Sequence, residues 1–363
     1  MALAYIPCDF ASRIIKPSWM QFALGFSVAI AHVPGWIGAS VATSWFLLMI
    51  AMPFVIYNIR IDLTLKHVWG FIFLIYASLS LLWTYSFNVG LFFLLQMITL
   101  GMVFYYGSSL NNLTPIVKGL AAGLGISALI SLFQVLGYDP VYMVKLPSGA
   151  PAGLFVNPNM FSEASAILLV ALIVLKQWYW TIVTFPGIVF AHSRAGVLAL
   201  FICGIIFVWN RSRAFALLIA PIIVLFIIGH YYNANFDLSS IRERFEIWGD
   251  TVRGLTLFGQ GVGSYEIVLP SYTHFLDTVR VIPRYAHNDF LQLIFEFGIG
   301  TLFIIPLLMF RSNENIRYVL YAAGVVALFS FPLHVPMSAF IITLFAGFIH
   351  RANADDRNNG VCC

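Results

Sequence analysis

Two basic residues at the ends of apolar segments are the first candidates for chemistry in this sequence. Arg194 stands among small residues, in Ser193-Arg194-Ala195-Gly196, at the start of an apolar run. It could anchor that run at a membrane surface or serve a function of its own. His287 also precedes an apolar run, where it could cap a helix or transfer a proton near neutral pH. Both explanations stay open for each residue.

An amphipathic helix is predicted in the middle of the chain, with Arg244 at the edge of its apolar face. Its residues 239–253 and the residues just after place Ile241, Phe245, Trp248, Val252 and Leu255 in one stripe. Arg242, Glu246 and Arg253 fall on the polar face, where Arg242 and Glu246 can pair. Arg244 lies beside Trp248, and a guanidinium directed toward a protein interface needs an anionic partner. We therefore predict that Arg244, rather than Arg242 or Arg253, contacts a ligand.

Carboxylates occur at the start of two apolar segments. Asp289, Gln292 and Glu296 share one helical face, and Glu163 follows Asn159 in a similar way. A carboxylate inside an apolar span is costly, so it marks a functional site or a hydrogen-bond network that holds helices in register. Both explanations stay open for Glu163 and Glu296.

Three glycines form the pattern Gly259-x-Gly261-x-Gly263, which differs from the GxGxxG of dinucleotide sites and has no strand–helix unit around it. Turns that let the backbone approach a substrate are the better interpretation. The eight histidines lack HxxxH and HExxH spacing, and the four cysteines are scattered. We predict neither a metal site nor a cofactor.

The composition indicates an all-α integral membrane protein. Of the 363 residues, 61% are apolar and only 34 are charged (19 basic, 15 acidic), whereas a soluble domain carries roughly 25% charged residues. This excludes a soluble enzyme, a nucleic-acid binder and a disordered scaffold. About twelve spans are predicted: 18–37, 40–57, 67–84, 89–107, 115–137, 159–175, 177–191, 194–209, 214–231, 288–310, 315–331 and 333–350.

The distribution of Lys and Arg orients these spans within a single membrane domain, residues 1–363. With both ends in the cytoplasm, twelve basic residues face inward and seven face outward. The shorter loop 138–158 and the long loop 231–287, which contains the amphipathic helix, then face the exterior or periplasm. Since no nucleoside triphosphate is available there, an outward-facing enzyme must use a substrate that carries its own energy.

Five motifs, in this order, resemble those of the O-antigen ligase and O-antigen polymerase family of bacterial envelope glycosyltransferases. They are Asn157-Pro158-Asn159, Ser193-Arg194-Ala195-Gly196, Arg244-x-x-x-Trp248, Gly259-x-Gly261-x-Gly263 and His287-Asn288-x-x-Leu291-x-x-x-x-Glu296-x-Gly298. The resemblance is best over about 150–310. The sequence departs from the family in two ways, a long loop that is short for the family and an additional Arg242 near the matched arginine. The short loop bears on acceptor recognition.

The resemblance implies a metal-independent glycosyltransferase of the bacterial inner membrane with a periplasmic active face. It would move a glycan from undecaprenyl pyrophosphate to an acceptor: lipid A–core in a ligase, a lipid-linked repeat in a polymerase, or a serine or threonine in a protein O-oligosaccharyltransferase. Arg194 and Arg244 would hold the pyrophosphate and His287 would act at the acceptor hydroxyl. The expected substrate-binding residues are Asn157, Asn159, Trp248, Gly261, Gly263, Asn288 and Glu296.

A secondary transporter is the alternative from a different functional class, with Glu163 and Glu296 as a proton relay. Such a protein is expected to contain an inverted repeat and discontinuous helices at matching positions. The two halves of the sequence show no self-similarity, and the polar groups cluster at the outer interface rather than midway. The glycosyltransferase is therefore favoured.

Overall fold

In a computed structural model, the described residues are 18–31, 41–56, 65–141, 150–155, 157–191, 193–210, 212–213, 239–272, 283–308 and 315–359. Helices and turns, without any β-strand, form this part of the chain. The prediction of an all-α protein is confirmed over these residues.

Eleven α-helices of nine residues or more lie within the described ranges. They are α1 (Ser18–Ile30), α2 (Val41–Ile56), α3 (Leu65–Leu79), α4 (Phe87–Ser109), α5 (Thr114–Val135), α6 (Pro158–Val174), α7 (Arg194–Trp209), α8 (Ser239–Arg253), α9 (Asp289–Phe297), α10 (Arg317–Phe329) and α11 (Pro336–Asn359). Short α-helices lie at Phe185–Val189, Tyr265–Val268 and Ile305–Leu308, and 3₁₀ segments at Ser80–Leu82, Trp178–Thr184, Leu269–Tyr272, Gly298–Phe303 and Pro332–His334.

Two of the described helices, α4 and α5, are long and apolar enough to cross a membrane. Shorter apolar helices lie at Ser18–Ile30, His67–Leu82, Pro158–Val174, Arg194–Trp209, Arg317–Phe329 and Pro336–His350. Eleven of the predicted spans coincide with helical segments, whereas 214–231 lies outside the described residues. The number of twelve spans therefore stays a prediction.

Two of the predicted spans are not continuous helices. The segment 177–191 consists of a 3₁₀ run followed by five α-helical residues. The segment 288–310 is interrupted at Gly298, whose φ of 50° ends α9. A side chain at Gly298 would collide with the backbone carbonyl of Leu257, so the interruption lets the loop after α8 approach the end of α9.

Glycines allow two pairs of helices to pack with their backbones in direct contact. Helix α1 packs along α5, and α4 packs along α11. A β-carbon at any of four glycines would collide with a carbonyl group of the partner helix: Gly25, Gly107, Gly119 and Gly347. Small residues are the usual packing device between membrane helices, where lipid is as apolar as the side chains.

Helix α6 lies at the centre of the structure and contacts α5, α7, α10 and α11. Its buried residues follow one another from Pro158 almost to its end, with Glu163 among them. Apolar side chains on the peripheral helices instead point away from the interior, as Phe46, Ile75 and Leu129 do. This arrangement is typical of a bundle whose outer surface faces lipid.

The apolar stripe predicted on α8 is not the face that packs. Phe245, Val252 and Leu255 are exposed, whereas Ile247 and Thr251 are buried. The prediction was wrong because polar groups on the other face have specific partners. Within the described residues, the Thr251 hydroxyl lies 2.8 Å from the Tyr265 hydroxyl and also donates a 2.7 Å hydrogen bond to the Ile247 carbonyl.

Candidate functional site

Arg194 is the first residue of α7, directly after the buried Ser193. A positive side chain at a helix N-terminus faces the positive end of the helix dipole, which is unfavourable unless an anion is nearby. The same end of a helix also offers free backbone N–H groups to an anion. Arg194 and the N-terminus of α7 thus place two sources of positive potential at one point.

Arg244 lies on the packed side of α8, as its helical angle predicts. Its Nη1 donates a 2.9 Å hydrogen bond to the carbonyl oxygen of Phe329, at the end of α10. Burial lowers the pKa of Arg244; the charge of Glu163 opposes this change and the charge of Arg194 adds to it. Residues from α6, α7 and α8 are thus close enough to act on one guanidinium.

Glu163 supplies the negative charge next to Arg244. Its side chain is 2% exposed on α6 and accepts a hydrogen bond from the Ser330 hydroxyl. Asp289 of α9 is also close enough to interact electrostatically with Glu163. The site thus combines Arg194 and Arg244 with buried carboxylates from α6 and α9.

His287 has a left-handed backbone conformation, with a φ of 51°. Histidine tolerates this region better than most residues, but the conformation still costs energy and is common at functional sites. The imidazole lies edge-on to Phe331, with 5.1 Å between ring centroids. Burial, followed by the charge of Arg244, lowers the pKa of His287 from 6.5 to about 4. At neutral pH the ring is therefore uncharged and able to accept a proton.

A chain of hydrogen bonds fixes the backbone on either side of His287. Trp248 Nε1 donates to the Ala286 carbonyl at 2.9 Å, and the Ala286 N–H donates to Gln292 Oε1 at 3.1 Å. Asn288 caps α9 by accepting a 3.0 Å hydrogen bond from the Leu291 N–H. The cap belongs to Asn288, so the His287 imidazole is not needed for it.

The carboxylate of Glu296 is bound to groups of the protein itself. Gln292 Nε2 donates to its Oε1 at 3.2 Å, and the Gly263 N–H donates to its Oε2 at 3.1 Å. The residue is 2% exposed. For Glu296, the hydrogen-bond network is thus the explanation that the geometry favours over direct contact with a substrate.

The three glycines after α8 pack against helices. Each has a positive φ, and a β-carbon on Gly259 or Gly261 would collide with Glu296 or Thr84, respectively. Gly263 lies against α4. The turn carries Val262, whose carbonyl accepts a 2.7 Å hydrogen bond from the Thr84 hydroxyl. These glycines therefore join the loop to the bundle.

The two asparagines before α6 have different surroundings. Asn157 caps this helix by accepting a 2.8 Å hydrogen bond from the Asn159 N–H. Asn159 is exposed. Among the described residues, no group of three or more His, Cys, Asp and Glu side chains has an arrangement that could hold a metal ion.

A comparison with known families gives a match over the part of the chain that contains Arg194, Arg244 and His287. Residues 179–306 match the family model described as O-antigen ligase. Over these residues the chain is similar to the O-antigen ligase family. The match includes Arg194, Arg244 and His287 and covers about a third of the chain. No curated protein and no solved structure matches the chain significantly.

The O-antigen ligase family is a membrane-embedded family of polysaccharide biosynthesis with glycosyltransferase-type activity, and it acts on lipid-linked glycans. The apolar helices around the O-antigen ligase segment agree with this setting. Asn157, Asn159 and Glu163 lie before the matched residues, at or in α6.

The connection between α10 and α11 of this O-antigen ligase-like chain was missed by sequence reasoning. The predicted spans 315–331 and 333–350 left one residue between them, whereas the helices are separated by residues 330–335. Pro332 and Pro336 are the physical reason, because proline cannot continue the preceding helix. The sequence Pro332-Leu333-His334-Val335-Pro336, with a polar residue between two prolines, is the signal that could have identified it.

An apolar cavity of about 220 Å³ lies beside the start of α9. Asp289, Leu333 and His334 line one part of it. The remaining walls come from α3, α4, α9 and α11 and from the Ile305–Leu308 helix, with Leu74, Met97, Gly101 and Leu307 among the lining residues.

Proposed function

We propose that the chain is an O-antigen ligase-like glycosyltransferase. It takes a glycan from undecaprenyl pyrophosphate on the periplasmic face of the bacterial inner membrane and transfers it to an acceptor hydroxyl. Lipid A–core is the acceptor expected for a ligase. The reaction uses no metal ion and no cofactor.

The proximity of Arg194 to Arg244 is the observation that carries this proposal: after burial, the charge of Arg194 contributes to the lowered pKa of Arg244, and Glu163 opposes it. Two neighbouring guanidinium groups favour binding of a group with more than one negative charge. A pyrophosphate bridge has this charge and carries its own energy. The arginines neutralise the charge that grows on the pyrophosphate as the glycosidic bond breaks.

His287 is assigned as the general base. The acceptor oxygen forms a bond to the anomeric carbon of the glycan, and the bond from that carbon to the pyrophosphate oxygen breaks with its electron pair. The hydroxyl proton moves to the uncharged His287 imidazole. Undecaprenyl pyrophosphate leaves, held by Arg194 and Arg244.

The low pKa of His287 fits this order of events. Without donor, Arg244 and burial keep the imidazole unprotonated. A bound pyrophosphate brings negative charge next to the ring, which raises the pKa of the histidine and makes it a stronger base. The base thus gains strength only when the donor is in place.

The apolar cavity supports a lipid-linked donor rather than a free nucleotide sugar. Its walls offer few polar groups, and it begins at Asp289 and Leu333, close to His287 and Phe331 in the chain. Burial of an isoprenoid chain in such a space is favourable by about 0.8 kcal/mol for each CH₂ group. We assign this cavity to part of the undecaprenyl chain.

The direct test is glycan transfer by purified protein from an undecaprenyl pyrophosphate-linked donor. Lipid A–core and a second lipid-linked repeat are offered in parallel as acceptors, with and without EDTA. The ligase proposal expects transfer to lipid A–core in both buffers. Transfer only to the lipid-linked repeat would make the protein a polymerase, and no transfer to either acceptor, with donor binding absent, would reject the proposal.

A further inference from the structure

We propose that residues 329–334, outside the matched O-antigen ligase segment, form one wall of the site, and that Asp289 is the positioning residue that fixes this wall. The proposal rests on the proposed function in that it uses the same site. Asp289 acts through the wall and is not assigned a contact with substrate.

Three residues of the wall each support a different charged or reactive group. The Phe329 carbonyl accepts the hydrogen bond of Arg244, the Ser330 hydroxyl donates to Glu163, and the Phe331 ring packs against His287. A displacement of this short segment would therefore disturb an arginine, its counter-charge and the base together.

Asp289 reaches across from α9 to hold the wall in place. Its Oδ2 accepts a 2.8 Å hydrogen bond from the Leu333 N–H, and its Oδ1 lies 3.6 Å from His334 Nε2. The Asp289 side chain is 1% exposed. Trp45 adds a second attachment, since its Nε1 donates to the His334 carbonyl at 2.9 Å.

Aromatic stacking completes the attachment. The ring of Tyr285 stacks on Phe331 at 4.5 Å and on His334 at 4.7 Å, measured between centroids. Tyr285 and Asp289 stand on either side of His287 in the chain. The same short segment thus carries the base and both groups that grip the wall, so the base and the wall keep a fixed relation to each other.

A simpler role for Asp289 would be charge stabilisation at the N-terminus of α9, where acidic residues are favourable. That role needs only an exposed carboxylate in the first turn. It does not explain a buried carboxylate that accepts the N–H of a residue 44 positions later in the chain. The positioning role requires the hydrogen bond to Leu333, whereas charge stabilisation at the N-terminus of α9 does not.

The experiment compares Asp289→Ala with Asp289→Asn in the full-length protein. Asparagine keeps an oxygen that can accept the Leu333 N–H, whereas alanine removes the acceptor. Loss of the attachment should lower kcat for transfer by roughly 10–100-fold in Asp289→Ala, because small misplacements of reacting groups have effects of this order. Asp289→Asn should keep most of the activity.

A second measurement does not depend on transfer. The pKa of His287 is followed by NMR in protein labelled with ¹³C at histidine, and its signal is assigned by its disappearance in His287→Gln. If the wall keeps His287 buried, Asp289→Ala should raise this pKa from about 4 toward 6.5, and Asp289→Asn should leave it near the wild-type value. The other charged or titratable groups near this wall stay unchanged in both variants: Arg244, Glu163, Tyr285, Glu296 and His334.

Leu124→Ala serves as the control for loss of stability alone. Leu124 is fully buried in α5, so its truncation weakens the core without removing a contact of the wall. This control should keep the His287 pKa and most of the kcat. If Asp289→Ala does not fold, Phe331→Leu replaces it, since leucine keeps apolar volume but lacks the ring that packs on His287.

The outcomes separate the two proposals. Unchanged kcat and unchanged His287 pKa in folded Asp289→Ala, or in Phe331→Leu if that variant is needed, would overturn the positioning role while wild-type transfer supports the function. A wild-type protein without transfer would reject the function, and the NMR measurement would still decide whether Asp289 positions the wall. An equal loss of kcat in Asp289→Asn and Asp289→Ala would also contradict the positioning role of Asp289, because the acceptor oxygen would then be irrelevant.

Discussion

The Arg244 guanidinium donates a 2.9 Å hydrogen bond to the Phe329 carbonyl, so the loop helix α8 and the bundle helix α10 are joined at a charged group. A carbonyl satisfies one of the five N–H donors of arginine and leaves the others for a ligand. The hydrogen bond therefore fixes the direction of the side chain without using up its capacity to bind an anion.

Replacement of Arg244 should abolish most of the transfer activity. We expect kcat/KM to fall by about 10²–10³-fold in Arg244→Ala, the scale for loss of one preorganised donor. Arg244→Lys should fall nearly as far, because an ammonium group lacks the planar fork. The measurement is transfer of a labelled glycan, with circular dichroism to verify folding.

Arg242 and Arg253 are the matched controls on the same helix. Arg242 pairs with Glu246 at 2.8 Å and Arg253 with Asp250 at 2.7 Å, and both arginine side chains are exposed. The Arg242–Glu246 pair is exposed and contributes little. The Arg253 side chain is also exposed, although its partner Asp250 is buried, so alanine at either arginine should retain most activity. Equal losses at all three arginines would show that the orientation of Arg244 has no special role.

The acid limb of the pH profile should lie far below the usual histidine range. Burial and the charge of Arg244 lower the pKa of His287 to about 4, so kcat/KM, which reports the free enzyme, should fall only as pH drops toward 4. In kcat, which reports the donor complex, the limb should lie at higher pH because bound pyrophosphate favours the protonated ring. Steady-state rates measured between about pH 3.5 and about pH 8 test both statements.

Protonation of His287 should make the folding stability decrease as the pH falls. The pKa is lower in the folded protein than in the unfolded chain, so below about 6.5 the unfolded chain binds a proton that the folded protein does not. Stability is therefore lost as pH falls from about 6.5 to about 4.

The substitution His287→Gln removes this contribution to the pH dependence and should also lower kcat by about 10²–10⁴-fold. An active, less stable His287→Gln protein would remove His287 from the mechanism.

Glu296 should matter for stability rather than for substrate affinity. Glu296→Ala leaves the Gly263 N–H and the Gln292 amide without their acceptor, and loss of a buried partner costs about 1–3 kcal/mol. Glu246→Ala, which removes an exposed carboxylate, should cost less than about 1 kcal/mol. Thermal unfolding measures the difference. A raised acceptor KM in a stable Glu296→Ala protein would restore the substrate-binding role.

Composition and helical periodicity predict much of this fold, because apolar runs of sufficient length become helices wherever lipid replaces water. They also predict the ionic pair between Arg242 and Glu246 and the packed position of Arg244, since both follow from 100° per residue. These features are local. They depend on residues within a few turns of one helix.

Long-range pairing is what the sequence could not predict. The packed face of α8 was misassigned because Thr251, which lies outside the predicted stripe, finds a partner at Tyr265 that no periodicity reveals. The wall at Phe329 was missed for the same reason. Its importance comes from contacts with side chains more than forty positions away, and only the fold brings these together.

The orientation of the loops should follow the distribution of basic residues. We expect a cysteine introduced at position 235 to react with an impermeant reagent from the periplasm, and one at 313 to react only after the inner membrane is permeabilised. Both positions lie outside the described residues. A background without the four native cysteines is needed. Labelling of both positions from one side would contradict the periplasmic site.

The apolar cavity gives a test of donor recognition that leaves the reacting groups untouched. Gly101 lies on α4 in the cavity wall, and a β-carbon there would meet only Leu74 Cδ1, at 3.4 Å. Gly101→Leu therefore extends its side chain into the cavity and should also favour the helix, since leucine is a better helix former than glycine by roughly 0.5–1 kcal/mol. We expect the KM for the undecaprenyl-linked donor to rise by about 10-fold or more, the effect of losing about 1.4 kcal/mol of binding, with little change in kcat.

A donor with a short isoprenoid chain that does not enter the cavity should be insensitive to the Gly101→Leu substitution. Gly101→Ala, which adds a β-carbon with room to spare, is the control and should behave like the wild type. Equal KM values for wild type and Gly101→Leu with the undecaprenyl donor would exclude this cavity as the site of the lipid chain while leaving the roles of Arg194, Arg244 and His287 intact.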